Sequence, residues 1–131
     1  MARILVIDDQ KDVRAMICMV LRVNRFEVSE AEGAAAGLKL FDESAFDAAV
    51  VDIFLADGNG LDVIAKMRDA VPDLPVVVIS GLASLNAASH ATNPSSVVRL
   101  QKPFRPKDLI GAIGRAQELV RRTSVAAEAA L

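Results

Sequence analysis

At 131 residues the chain has the length of one domain, and its formal net charge of −2 gives no excess of positive charge for binding nucleic acid or an anionic membrane. Hydrophobic residues make up 53%, enough to bury a core at this size, yet the longest apolar runs, Ile4 to Ile7 and Val76 to Ile79, are far too short to span a bilayer. A single cysteine, Cys18, excludes an internal disulfide framework and a cysteine-based zinc site. With no signal-peptide pattern at the N-terminus, the expectation is a soluble, cytoplasmic protein with no membrane and no nucleic-acid partner.

Arg3 to Ile7 reads as a continuous apolar strand that stops at Asp8-Asp9. From Asp12 the period changes, and Val13, Met16, Ile17, Val20 and Leu21 recur as on an amphipathic helix. Phe26 to Ala31 alternates weakly, as a second strand. Gly33 to Phe41 predicts a short helix with Leu38 and Phe41 on one face, weakened by Gly37. Phe46 to Ile53 holds a buried strand, Ala48 to Val51, running into Asp52. After the turn cluster Asp57-Gly58-Asn59-Gly60, the spacing of Leu61, Ile64, Ala65 and Arg68 predicts a helix closed by Pro72 and Pro75. Val76 to Ile79 is a fourth strand, ending at Ser80-Gly81. Leu82 to Thr92 has middling helical periodicity. Val97 to Gln101 is a fifth strand, interrupted by Arg99, and it ends at Lys102-Pro103. A last helix is expected from about Pro106 to Arg122, with Leu109, Ile113, Ala116 and Val120 inward. That makes residues 1–122 the domain and residues 123–131 a frayed, disordered tail.

Five strands alternating with five helices imply an α/β domain whose parallel sheet is covered on both faces. In such a sheet the ligand crevice lies beyond the carboxyl ends of the strands. Asp8 and Asp9 follow the first strand, Asp52 closes the third, Ser80 follows the fourth and Lys102 the fifth. Three carboxylates that converge repel one another, and a hard divalent cation such as Mg²⁺ relieves them. Alone, Asp8-Asp9 reads equally well as a cap for the following helix. Joined by Asp52, Ser80 and Lys102, the acids point to phosphoryl transfer, which needs mainly positioning and electrostatic stabilisation. Asp52 is then the nucleophile, Lys102 a point charge for one phosphoryl oxygen, and the Ser80 hydroxyl a donor to another.

The set Asp8-Asp9, Asp52, Ser80 and Lys102-Pro103-Phe104 closely resembles the receiver domain of two-component response regulators, over roughly residues 3 to 120 and most like single-domain chemotaxis regulators. The resemblance implies the flavodoxin-like doubly wound fold, with strand order 2-1-3-4-5. It implies phosphorylation of Asp52 by a histidine kinase or histidine phosphotransfer protein, with Mg²⁺ as cofactor and no catalysis beyond the domain's own phosphorylation and dephosphorylation. It also implies that Asp9, Asp52 and the Phe54 backbone carbonyl ligate the metal, that Asp8 acts on it through water, and that Pro103 is cis.

Three features depart from the family pattern. Ala56 stands where proline is common. Arg99 stands where many receivers carry an aromatic switch residue, and it is expected to stay near the surface, because burying a guanidinium without a partner is costly. Leu82 to Pro94 is rich in Ser, Asn and Ala. Cys18 reads as a buried, inert thiol, His90 as solvent-facing, and the Gly111 and Gly114 pair as either close packing or simple tolerance. Two rival functions are a phosphorylation-independent scaffold and an aspartyl-phosphate phosphatase. The phosphatase is disfavoured because Phe54 stands where a second aspartate is expected. The chain stops soon after the last helix, so the expected output is protein contact without an attached effector domain.

Overall fold

From Ile4 onward every residue of the first strand is apolar, so neither face of it can be left in water. The structure, a computed structural model that describes residues 2–81 and 97–130, covers both faces. In chain order the elements are β1 (Arg3–Ile7), α1 (Lys11–Val23), β2 (Glu27–Ala31), α2 (Ala34–Glu43), β3 (Ala48–Asp52), β4 (Phe54–Leu55), β5 (Gly58–Asn59), α3 (Gly60–Ala70), β6 (Val76–Ser80), β7 (Val97–Gln101) and α4 (Pro106–Ala130). Five parallel strands run in the order β2-β1-β3-β6-β7, which is the expected flavodoxin-like order. Among the described residues β4 and β5 pair only with each other, as a two-residue antiparallel hairpin inside the turn cluster. The helix expected over Leu82 to Thr92 lies outside the described residues.

Strand alternation divides the core in two. Ile4, Val6, Val50, Val77 and Ile79 pack with Ile17 and Leu21 of α1 and with Leu109, Ala112 and Ile113 of α4. Leu5, Ile7, Val51, Val76 and Val78 face the other way, onto Phe41 of α2 and Val63, Ile64 and Met67 of α3. Each fully buried Ile or Leu contributes about 1.5–3 kcal/mol relative to leaving it in water. The central strands β3 and β6 are buried throughout, whereas the edge strands β2 and β7 carry polar residues that discourage further strand pairing.

Three sequence expectations need adjustment. The buried stripe of α3 is Gly60, Val63, Ile64 and Met67, with Ala65 exposed, so the helix is turned from the expected face. The longer side chains of Val63 and Met67 bury more apolar area than Ala65 could. Gly37 does more than weaken α2: a Cβ there would overlap the Ile7 side chain, so its absence lets α2 sit on β1. Finally, α4 continues to Ala130 instead of ending near Arg122, as the high helix propensity of Ala126, Ala127, Ala129 and Ala130 favours. Among the described residues no helix is long and apolar enough to cross a membrane.

Candidate functional site

Parallel register brings the strand ends level. Ile7 lies beside Val51, Asp52 beside Ile79, and Ser80 beside Gln101. The side chains that follow therefore meet at one edge of the sheet. Lys102 Nζ donates to Asp52 Oδ2 at 2.7 Å and to Gln10 Oε1 at 2.9 Å, and it lies 3.5 Å from Asp8 Oδ2. The other oxygen of Asp52 accepts the Phe54 backbone N–H at 3.1 Å. Asp8 is fully buried, and its Oδ1 accepts the Gln10 backbone N–H at 2.8 Å. Asp9 is exposed at the rim.

One oxygen from each of Asp8, Asp9 and Asp52 lies within 4.8 Å of the others. Burial raises the Asp8 carboxyl above its ordinary pKa, and the nearby Asp52 charge acts in the same direction; the Gln10 N–H and Lys102 oppose them. Asp8 Oδ2 has no hydrogen-bond partner among the described residues. Three acids facing one ammonium, with a buried acceptor left over, fit a hard divalent cation that takes oxygen ligands. The cap position of α1 falls to Gln10 and not to Asp8 or Asp9, and among the described residues no side-chain cap bond is made there.

An open cleft of about 260 Å³ leads to Asp52, lined by Asp9, Gln10, Phe54, Gly81 and Lys102 as well. The Phe54 ring is half exposed there. Ser80 is fully buried, and its Oγ has no hydrogen-bond partner among the described residues. Its backbone carbonyl accepts the Lys102 N–H at 2.8 Å, which ties the ends of β6 and β7 together. The Lys102-Pro103 peptide bond is cis, as the resemblance implied. Arg99 is half-buried on β7 beside Val78.

The surrounding loop is closely fitted. Asn59 caps α3 by accepting the Leu61 N–H at 2.8 Å. Gly60 N–H reaches the Ile53 carbonyl at 2.6 Å, and a Cβ at Gly60 would overlap the Asp52 carbonyl. The roles of three residues near the site escaped the sequence reading. Gln10 was legible in principle, as the residue directly after two strand-end acids. Arg14 holds the end of β1 by donating to the Asp8 carbonyl at 2.8 Å and pairing with Glu30 at 3.0 Å. Asp57 caps α2 from a distant loop, its carboxylate accepting the N–H groups of Ala34 at 2.7 Å and Ala35 at 3.1 Å. No local pattern announces a cap supplied from 23 residues away.

A family model described as response regulator receiver domain matches residues 4–114 of this chain. The chain belongs to that family. The receiver is 33% identical over 115 residues to the DNA-binding transcriptional regulator NtrC of Rhizobium meliloti, a match covering 88% of this chain and 24% of that protein. It is 28% identical over 120 residues to a putative response regulator NtrX-like protein of Rickettsia bellii, covering 90% of this chain and 25% of the relative. It thus spans about a quarter of the length of these curated relatives. Among solved structures, a response regulator receiver domain protein from Clostridium thermocellum superposes with a TM-score of 0.82 at 27% identity, covering 95% of this chain and 99% of that one. NtrX from Brucella abortus gives a TM-score of 0.83 at 28% identity, covering 97% of this chain and 29% of that one. Receiver domains are the phosphoacceptor modules of two-component systems, with phosphorylation and Mg²⁺ typical of the family, and they are not generally enzymes acting on other substrates.

Proposed function

We propose that this receiver is a switch in which Asp52 accepts a phosphoryl group from the phosphohistidine of a histidine kinase or histidine phosphotransfer protein and then signals through protein contacts. The observation that carries this reading is the Asp52 carboxylate, held at an open cleft with one oxygen on the Lys102 ammonium and the other on a backbone N–H. A carboxylate oxygen forms a bond to phosphorus as the P–N bond of the donor breaks. The donor imidazole, protonated on its other nitrogen, leaves neutral with the electron pair of that bond. Lys102 exchanges its contact with Asp52 for one with a phosphoryl oxygen, and the Ser80 hydroxyl donates to another. Asp8, Asp9 and Asp52, with the Phe54 backbone carbonyl, would hold Mg²⁺. Bound there, the ion supplies positive charge that offsets the oxygens of the transferring group.

On this reading the receiver unit is residues 1–122, it works in the cytoplasm, and it catalyses only its own phosphorylation and dephosphorylation. Its net charge of −2 supports protein partners over nucleic acid, even though one relative, about four times its length, is a DNA-binding regulator. The test is to incubate the protein with acetyl phosphate, with and without Mg²⁺, and follow intact mass. The expected result is one phosphoryl group on the wild type with Mg²⁺, almost none without it, and none on Asp52→Asn. Uptake by Asp52→Asn at the wild-type rate overturns the assignment.

A further inference from the structure

The Lys102 ammonium has three donors and no acceptor. One goes to Asp52 Oδ2 at 2.7 Å and another to Gln10 Oε1 at 2.9 Å, while Asp8 Oδ2 stands 3.5 Å away. Gln10 is the one uncharged partner in this group, and it reaches Lys102 across 92 residues of chain. Its backbone is held by the same buried acid that faces Lys102, through the N–H bond to Asp8 Oδ1. Although Gln10 occupies the N-cap position of α1, its side chain makes no capping hydrogen bond. The carboxamide is therefore committed to Lys102 rather than to the helix. Because an ammonium can only donate, the amide must turn its oxygen to Lys102, which leaves its NH₂ for the cleft that Gln10 lines.

We propose that Gln10 is a positioning residue for phosphoryl transfer: its carboxamide oxygen holds the Lys102 ammonium at the cleft, ready to pass from Asp52 to an oxygen of the transferring group. The inference rests on the reading of Asp52 as phosphoacceptor. Without Gln10, the ammonium keeps one hydrogen bond, to the Asp52 oxygen it must release, and no second one in this group holds it at the cleft as that contact is exchanged. A carboxylate at position 10 would supply the same acceptor but add a fourth negative charge to three that already repel. The neutral amide anchors the cation without that addition.

The test separates Gln10's role from mere structure. Gln10→Met keeps the length of the side chain and removes the acceptor. With acetyl phosphate and Mg²⁺, Gln10→Met is expected to slow phosphorylation of Asp52 by about tenfold or more, the effect of losing one charge-assisted hydrogen bond. In a Lys102→Ala background the same substitution should change the rate by less than about twofold, since the residue acts through Lys102. A second readout needs no phosphate and no metal: hydrogen exchange of the ¹⁵N-labelled Lys102 ammonium should be slow in the wild type, fast in Gln10→Met, and slow again in Gln10→Glu. A Gln10→Met protein phosphorylated at the wild-type rate overturns the proposal, as does an equal slowing in the Lys102→Ala background or unchanged ammonium exchange. If Asp52→Asn itself takes up phosphate, the phosphoacceptor reading fails instead, and the ammonium exchange still reports whether Gln10 holds Lys102.

Discussion

Cys18 shows how the surroundings of one residue decide its chemistry. It is almost completely buried in the core between α1 and the sheet, and burial pushes its thiol up to about 11, helped by the neighbouring Glu30. At pH 8 the thiolate fraction is then on the order of one in a thousand. Iodoacetamide should leave Cys18 untouched in the folded protein and label it promptly in urea, with mass spectrometry as the check. Labelling at equal rates in both states would show the thiol to be accessible. The linkage has a definite sign. The folded state keeps a proton that the unfolded state releases above about pH 9, so this thiol's contribution to stability is intact below that pH and declines as pH rises towards 11. Chemical denaturation of wild type and Cys18→Ala at pH 8 and pH 10.5 should show a smaller alkaline loss for the variant.

At the scale of an element, identical residues take opposite roles according to what they face. Gly37 lies where α2 meets β1, and a Cβ there would overlap Ile7. Gly114 is exposed on α4 and has nothing within 4 Å of a built Cβ among the described residues. Close packing therefore does not explain Gly114, and at Gly111 the nearest atom is Arg115 Nη1 at an ordinary 3.5 Å. Gly114→Ala should stabilise the protein by about 0.5–1 kcal/mol through helix propensity and reduced freedom of the unfolded chain. Gly37→Ala should destabilise it by about 1–3 kcal/mol, because overpacking outweighs the same propensity gain. Urea denaturation of both variants decides the matter, and equal effects would contradict the packing described here.

For the whole molecule the question is how an event at Asp52 reaches the surface. Ser80 lies at the end of β6 and Arg99 in the adjoining β7, beside Val78. Moving a guanidinium into an apolar core costs several kcal/mol unless a partner travels with it. We therefore expect signalling to run through Ser80 and the chain from Gly81 to Asn93, most of which lies outside the described residues, with Arg99 staying half-buried. Amide exchange across residues 81–93 should respond to a phosphate mimic in Arg99→Ala as it does in the wild type. Loss of that response with the mimic still bound would make Arg99 the switch element.

Short-range chemistry made much of this protein legible in its sequence. Apolar runs and their periods located the five long strands: continuous hydrophobicity marked the central ones, which are buried on both faces, and weaker patterns marked the edges. Strand ends then located Asp8, Asp9, Asp52, Ser80 and Lys102, because parallel strands place their carboxyl ends at one edge. What remained depended on contacts between segments far apart in the chain. The buried face of α3 was set by the fit of Val63 and Met67 to the sheet. The cap on α2 came from Asp57 in another loop, and the second partner of Lys102 was Gln10 from the opposite end of the chain. A hydrogen bond closes over about 3 Å, whatever the distance along the chain, so a local pattern can assign a residue its element but not its distant partner.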